Sequence, residues 1–462
     1  MKKTLQNIIE FEEFDVIVAG AGIAGVCSAI ASAREGAKTI LIDRYGFLGG
    51  MSTAGMVSPF MKYWIEDEFD GRVKPLVGGV FEEIVKGMEK IGGVIDNGFN
   101  AWAFRKVVNE LLCEAGVKTI RHALIFGVEF ENVNRKRKIT SLILNYNSKF
   151  YRFPGKVFVD TTGDAEIVYL ANAGWMKGDE KTGLTQAMTL FFRVGGIDVK
   201  KAVDFVRANP QQFYPWSTSE YILGRIVSIA GYFDLVKEGK IKGLLPEEIE
   251  YIFFTTLPEE GEASFNTTNI LGLDGTSSFD LTKAEIEGRT QMLQIYNFLK
   301  EKIPGFENSY LLESGIQVGV RETRRAIGEY IISGEDILKA RKFKDAIARA
   351  CYGIDIHGQR GEKSRLEHLK EGQYYEIPLR ALIVKKAYNL LVAGRNISST
   401  REGHSALRIQ ATSAATGEAA GVVASLAVKF NRDVRKVPYE IIIYDPTYFL
   451  HSLYDFLKHP SN

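Results

Sequence analysis

Cysteine is nearly absent from this chain. Three occur in 462 residues, Cys27, Cys113 and Cys351, too far apart for any CxxC pair. A four-cysteine zinc or iron–sulfur site cannot be built within the chain, and a redox pair of adjacent cysteines is excluded. Cysteine usage this sparse suits a reducing cytoplasm. An excess of one charge is missing too. The net charge is +1, without the basic surplus that nucleic acid or an anionic membrane demands. Long apolar runs are scarce. The opening MKKTLQNIIEFEEF turns acidic after two lysines and does not read as a signal peptide. The longest apolar candidate, residues 417–430, follows Arg408 and contains Glu418, so no membrane span is expected. Histidine is limited to six residues, which keeps the set of candidate proton carriers short. No His/Cys/Asp/Glu pattern suggests a metal site, and internal repeats and low-complexity tracts are absent.

What remains is a globular composition, 45% hydrophobic and 25% charged. At 462 residues the chain is long for one domain, and two lobes are expected. Its most informative stretch is residues 14–43, FDVIVAGAGIAGVCSAIASAREGAKTILID. An apolar strand (Val16, Ile17, Val18) runs into Gly20-Ala21-Gly22-Ile23-Ala24-Gly25. A small-residue helix follows, and a second apolar strand ends on Asp43. This is a complete dinucleotide fingerprint. Gly20 permits the tight turn, Gly22 leaves room for a pyrophosphate, and Gly25 lets helix and strand pack closely. The helix N-terminus offers free N–H groups and partial positive charge to phosphates. Asp43 can accept hydrogen bonds from ribose hydroxyls.

The fold class expected is α/β, a Rossmann-like domain with a parallel sheet and a three-stranded antiparallel meander, carrying an inserted α+β substrate domain. Residues 1–174 form the first part of the nucleotide domain. Within it, residues 101–115 have helical apolar spacing closed by Gly116. Residues 117–160 contain three β-rich runs, the last entering a second glycine turn at Thr161-Thr162-Gly163-Asp164. Residues 175–313 carry no nucleotide signature and read as the insert. Residues 314–334 and 376–432 return to the first domain, and 335–375 form a substrate-side segment. Residues 433–462 are a C-terminal extension. The late LLVAGRN is another strand into a glycine turn, followed by a helix rich in small residues from about Ser405 to Val428.

The meander, the TTGD turn and the LVAGRN strand–turn–helix resemble flavoproteins of the glutathione-reductase structural type. Segments such as LIDRYGFLGGMSTAG, VFVDTTGDAEIVYLANAG, GVRETRRAIGEY and LLVAGRNISSTREGHSALRIQATSAATGEAAGVVA look more narrowly like the FAD-dependent oxidoreductases related to fumarate reductase and succinate dehydrogenase. The resemblance covers about half the chain and fades across residues 200–310. It implies FAD. Gly20, Ala21, Gly22 and Gly25 would hold the pyrophosphate, with Ile23 and Ala24 opening the helix. Asp43 and Arg44 would meet the adenosine, and Gly49, Gly50, Ser52 and Thr53 the ribityl chain and flavin. Thr162, Gly163 and Asp164 would lie near the nucleotide. Gly394 and Arg395 would meet the ribityl–phosphate region, with Ser405 and Ala406 at a helix start aimed at the flavin. Two departures stand out. Arg395 occupies a position where many relatives carry an acid. The loop after Asp43 has no histidine, the residue that attaches FAD in covalent members, so noncovalent FAD is expected.

No second GxGxxG precedes a strand and an acid, so no separate NAD(P)H domain is expected. Electrons then come from a small-molecule substrate or pass to an external carrier. Arg401 matches the carboxylate-binding arginine of the RxGxxSL stretch in the fumarate-reductase flavoproteins, and His404 stands beside it as a proton donor. The plainer alternative is a helix-start loop with ordinary ion pairs. His357 lies in a polar loop that could enter the substrate cavity or simply turn at the surface. Arg321 and Arg325 share one face of GVRETRRAIGEY and Arg324 the other. Arg321 is a candidate for the reacting site, whereas salt bridging to Glu322 and Glu329 is the alternative. The function expected is hydride transfer between flavin N5 and a small organic substrate, with a carboxylate in view. A flavoprotein subunit of an electron-transfer complex and a noncatalytic FAD-fold scaffold are the competing readings. Homo-oligomerisation is left open.

Overall fold

Strand Phe14–Ala19 is buried along nearly its whole length, as an unbroken apolar run inside a parallel sheet should be. In the computed structural model, which describes residues 8–66, 73–359, 364–439 and 442, it lies at the centre of a parallel array. The order is Lys118–Ile120, Thr39–Ile42, Phe14–Ala19, Lys149–Asp160 and Leu390–Val392. Strand Lys149–Asp160 serves two layers. Its second half pairs in parallel with Phe14–Ala19 and Leu390–Val392. Its first half pairs with Lys136–Tyr146, which pairs with Leu124–Val133, in the antiparallel meander. The meander turns on Asn134-Arg135 and Asn147-Ser148, all four at positive φ, the two-residue geometry that tight hairpins require. The first of the three β-rich runs, residues 117–133, predicts a single strand. The structure divides it: Lys118–Ile120 joins the parallel edge and only Leu124–Val133 belongs to the meander. His122, at positive φ between them, marks the break.

The insert has its own core. Five antiparallel strands run in the order Ser228–Gly231, Ile252–Thr256, Ala263–Phe265, Phe192–Gly195 and Tyr310–Ser314. They pack with helix Ser278–Lys302 around Phe192, Phe254, Phe265 and Phe306. The aromatic residues of this region are therefore largely core.

The late small-residue segment forms two helices, Arg401–Leu407 and Gln410–Lys429. Among the described residues the second is the one helix long and apolar enough to cross a membrane, which corrects the expectation that no segment reaches that length. It is buried against helix Ile23–Arg34. Gly417 and Gly421, one turn apart, set that approach. A Cβ on either would lie 2.1 Å from a backbone oxygen, of Ala24 and Ser28 respectively.

Buried on the same helix, Glu418 accepts a hydrogen bond from the Val80 N–H at 3.0 Å, at the start of helix Gly79–Lys90. Burial pushes its carboxyl up to about 7 from an ordinary 4.5. Because the folded value is raised, the contribution to stability is fully present below the unfolded value and is lost as pH rises through the folded one. The window runs from 4.5 to about 7. Glu418→Gln is therefore expected to flatten the fall in melting temperature between pH 5 and pH 8. The gain at the upper end is on the order of 2 kcal/mol. An unchanged pH slope in the variant would contradict this origin.

Candidate functional site

The carboxyl ends of the parallel strands open onto one cavity of about 310 Å³, where ligands of open α/β sheets bind. Gly20, Gly22, Ile23 and Ala24 line it from the fingerprint, and Asp43 and Arg44 from the end of the second strand. Gly49, Gly50 and Ser52 come from the following loop. Thr162, Gly163 and Asp164 come from the second glycine turn, and Gly394 and Arg395 from the third. The fold thus gathers fourteen of the nineteen expected cofactor residues into one wall.

The other five stand behind or beside it. Ala21 donates its N–H to Asp43 Oδ2, fixing the acid from below. Gly25 packs on the turn, where a Cβ would lie 1.8 Å from Gly20 O. Thr53 Oγ1 donates to Leu48 O at 2.7 Å. Ser405 and Ala406 are buried in helix Arg401–Leu407. Ser405 Oγ accepts from the Asp355 N–H at 3.1 Å, away from the cavity wall. The helix that does reach the cavity starts after Ile409 and presents Gln410 and Ser413.

Two helix N-termini therefore converge on one space. Neither Gly22 nor Ile409, the two N-cap residues, supplies a side-chain cap, so the first-turn N–H groups are left for an anion. Above Gly22 a Cβ would meet nothing within 4 Å. An open backbone, two uncapped helix starts and a buried acid at the strand end are the donor set a dinucleotide needs. Asp43 fits the ribose role. Its two oxygens accept backbone N–H groups of Ala21 and Tyr45, and burial raises its carboxyl above the usual range. Gln410 accepts from Ser52 Oγ at 2.5 Å and donates to Val57 O at 2.8 Å.

The second glycine turn is held by Asp160. Its Oδ1 accepts from Thr162 Oγ1 at 2.7 Å, and its Oδ2 from the Ile167 and Val168 N–H groups at 2.9 and 3.2 Å. Arg395 is accounted for by the same turn. Its Nη2 lies 2.7 Å from Asp164 Oδ1 and its Nη1 donates to Val320 O at 2.8 Å. The unexpected cation is thereby neutralised within the wall.

The four residues expected to react separate into two groups. Arg401 is buried beside Glu322 (Nε to Oε2 3.6 Å) and Asp179 (Nη1 to Oδ2 3.8 Å). Glu322 also pairs with buried Arg325. His404 is 1% exposed, and among the described residues neither ring nitrogen has a hydrogen-bond partner. Burial and then Arg325, Arg408 and Arg395 push its ring well below the ordinary range. Neither residue lines the cavity.

Arg321 and His357, by contrast, share a second cavity of about 30 Å³ with Tyr251 and Asn266. Arg321 Nη1 donates to Ala187 O at 2.7 Å and Nη2 to Asn266 Oδ1 at 3.3 Å. Burial lowers it to about 10, still cationic at neutral pH. His357 Nε2 lies 3.3 Å from Asp355 Oδ1. Asp355 Oδ2 accepts from Arg408 Nη2 at 3.1 Å and from Tyr352 OH at 3.0 Å. Burial opposes the Asp355 charge, but His357 and the two arginines outweigh it and hold the carboxyl far below its usual range. Burial, seconded by Arg321, pushes His357 down, so its neutral form prevails at pH 7. Arg408 also lines the large cavity, as does Val320, next in sequence to Arg321. Arg408 thus runs from the wall of the large cavity to the Asp355–His357 pair at the small one. Sequence reasoning missed Arg408, Asp355 and Gln410. A continuous helix was expected across 405–428, and no glycine or proline marks its interruption.

The family model described as FAD dependent oxidoreductase matches residues 15–443. The chain belongs to that family. This FAD-dependent oxidoreductase is 30% identical over 182 residues to the thiamine thiazole synthase of Sulfolobus acidocaldarius, covering 37% of the chain and 64% of that enzyme. It therefore spans less than two thirds of that relative's length. Distant structural likenesses include a geranylgeranyl bacteriochlorophyll reductase-like protein from Thermoplasma acidophilum, at 12% identity, 97% and 83% coverage and TM-score 0.44. A flavin-dependent brominase matches at 11% identity, 92% and 81% coverage and TM-score 0.47. FAD is the cofactor of this family.

Proposed function

We propose that this oxidoreductase moves a hydride between flavin N5 and a small organic carboxylate bound at Arg321 and His357. The observation that supports the reading is the contact chain from the wall of the large cavity through Arg408 and Asp355 to His357. Arg408 reaches from the FAD wall to the aspartate that holds His357, and Val320 and Arg321 are consecutive. When bound, FAD supplies a two-electron centre that takes or gives a hydride. Arg321 offers a guanidinium to a carboxylate and so orients the substrate. Burial excludes water and strengthens that contact. His357, neutral at pH 7, is able to exchange a proton with the substrate. The narrower kinship with fumarate-reductase flavoproteins is supported by the segments quoted above. The carboxylate role first given to Arg401 passes to Arg321, because Arg401 is engaged by two acids. FAD is held noncovalently, since the loop 46–55 contains no histidine. Reduced flavin is reoxidised by an external carrier or a second substrate.

The test is anaerobic mixing of the yellow holoprotein with a panel of metabolites while flavin absorbance is followed. Carboxylates are expected to change the flavin's redox state. Arg321→Met is expected to weaken the active carboxylate by roughly 10- to 100-fold, the scale of one charge-assisted hydrogen bond. Arg321→Lys should recover part of that, because it keeps the charge but loses the planar fork. A panel in which no carboxylate alters the spectrum would remove this reading.

A further inference from the structure

We infer that the outer face of helix Ser278–Lys302 is an interface between two copies of this chain, joined about a two-fold axis at Ile286. Apolar residues lie on two sides of this helix. Ala284, Met292, Ile295, Phe298 and Leu299 are buried in the core of the insert. Phe279, Ile286 and Leu293 fall on the opposite side of the helical turn and stand in solvent, exposed by 88%, 66% and 50%. A helix that is apolar on both sides belongs between two packed surfaces. The insert supplies one of them.

The spacing of the exposed residues identifies the partner. Phe279, Ile286 and Leu293 recur every seven residues and so form one stripe, as in the seam along which helices pair. The stripe is symmetric about Ile286. Turned end for end, it matches itself. Ile286 meets its own copy, and Phe279 meets Leu293 of the second copy. A surface that is complementary to itself is the isologous contact of a two-fold dimer.

Charge and area agree with this. From Phe279 to Asn297 the other exposed positions are Thr282, Lys283, Thr290, Gln294 and Asn297. Lys283 is the one charge among them, whereas a solvated helix face is ordinarily rich in charge. Scarcity of charge marks the centre of an interface. Arg289, at the edge of the face, is paired with Glu285 within the chain. Arg289 Nη2 also reaches the Gly315 and Ile316 carbonyls at 3.4 and 3.5 Å, which brings Ile316, 55% exposed, alongside Ile286. The four apolar side chains expose on the order of 450 Å², and with the polar residues between them the face approaches the roughly 800 Å² that each partner contributes to a stable complex. Leu281 and Glu285, which line the large cavity, lie on another side of the helix, so the pairing surface and the cavity wall are separate.

The experiment uses the flavin-replete full chain in two measurements. In sedimentation equilibrium at micromolar concentrations the wild type is expected to be a dimer. Ile286→Glu should weaken that dimer by roughly 100-fold or more, because the substitution counts twice at a two-fold axis and sets two carboxylates against each other. Its flavin content should stay that of the wild type, which separates loss of pairing from loss of fold. Cross-linking then tests the axis itself, in a Cys113→Ser background that removes the exposed native thiol. Ile286→Cys should oxidise to a disulfide-linked dimer. Phe279→Cys alone should not, but should cross-link when mixed with Leu293→Cys. A monomeric wild type would overturn the inference. A monomer whose melting temperature falls in Ile286→Glu does so too, by showing that another part of the chain covers this face. A dimer that survives Ile286→Glu, or that cross-links through Phe279→Cys alone and not through Ile286→Cys, places the interface elsewhere and overturns it as well.

Discussion

Gly25→Val is expected to yield a colourless, destabilised protein, whereas Gly22→Ala should fold normally and bind FAD poorly. Both residues belong to one fingerprint, but they have different neighbours. A Cβ at Gly25 would lie 1.8 Å from Gly20 O and 2.7 Å from Thr161 Oγ1. Neither can retreat. Thr161 Oγ1 donates to Ala19 O and Gly20 O at 2.8 and 2.7 Å, and Gly20 is held at positive φ. The helix would have to lift off the turn, and overpacking of this kind costs roughly 1–3 kcal/mol or more. Lifting it also carries away the first-turn N–H groups that line the large cavity, where a pyrophosphate would bind. At Gly22 a Cβ meets no protein atom within 4 Å. The methyl group there stands in the space the cofactor needs. Flavin absorbance relative to protein absorbance, and the melting temperature of the apoprotein, separate the two cases. A Gly22→Ala protein that binds FAD like the wild type would contradict the placement of the pyrophosphate over that residue.

The same contrast explains what was legible beforehand. The fingerprint, the meander and the glycine turns are local. Each depends on residues adjacent in sequence whose backbone needs are visible in residue type, such as Gly20 at positive φ or Asn147-Ser148 in a hairpin. That is why fourteen of the residues expected near the nucleotide, read from the fingerprint, the loop after it and the two later glycine turns, line a single cavity. The reacting side was harder to read because its partners are distant in sequence. Asp355 stands two residues before His357, but Arg321 and Arg408 come from two other segments, and only packing brings them to this pair. Arg401 misled for the converse reason. It sits in the expected motif, but Glu322 and Asp179, far away in the chain, engage it. The small-residue helix was visible as a surface built for close approach. Its partner, the helix Ile23–Arg34, was not.

Arg408→Met is expected to slow flavin reduction by about 100- to 1,000-fold at pH 7, equivalent to roughly 3–4 kcal/mol. The residue lines the large cavity and pairs with Asp355, which faces His357 of the small one, so its loss acts on both sides. It removes a cation from the wall beside Gln410 and Ser52, where the FAD cavity receives a helix N-terminus. It also strips Asp355 of its guanidinium partner, leaving Tyr352 and His357. A largely buried carboxylate without its counter-ion costs on the order of 2 kcal/mol. Its charge is then better met by protonating His357. Arg408 opposes that proton in the wild type, so the acid limb of the rate profile should move to higher pH in the variant. The direction is opposite to that expected for Asp355→Asn, which removes the charge that favours a proton on His357 and so gives the two variants distinct signatures. Combining them makes the coupling measurable. If the pair acts as one unit, Arg408→Met should cost much less stability in an Asp355→Asn background than alone, because no buried charge is left stranded. Additive losses in melting free energy, or an acid limb that stays in place, would show that Arg408 and Asp355 are neighbours without being coupled.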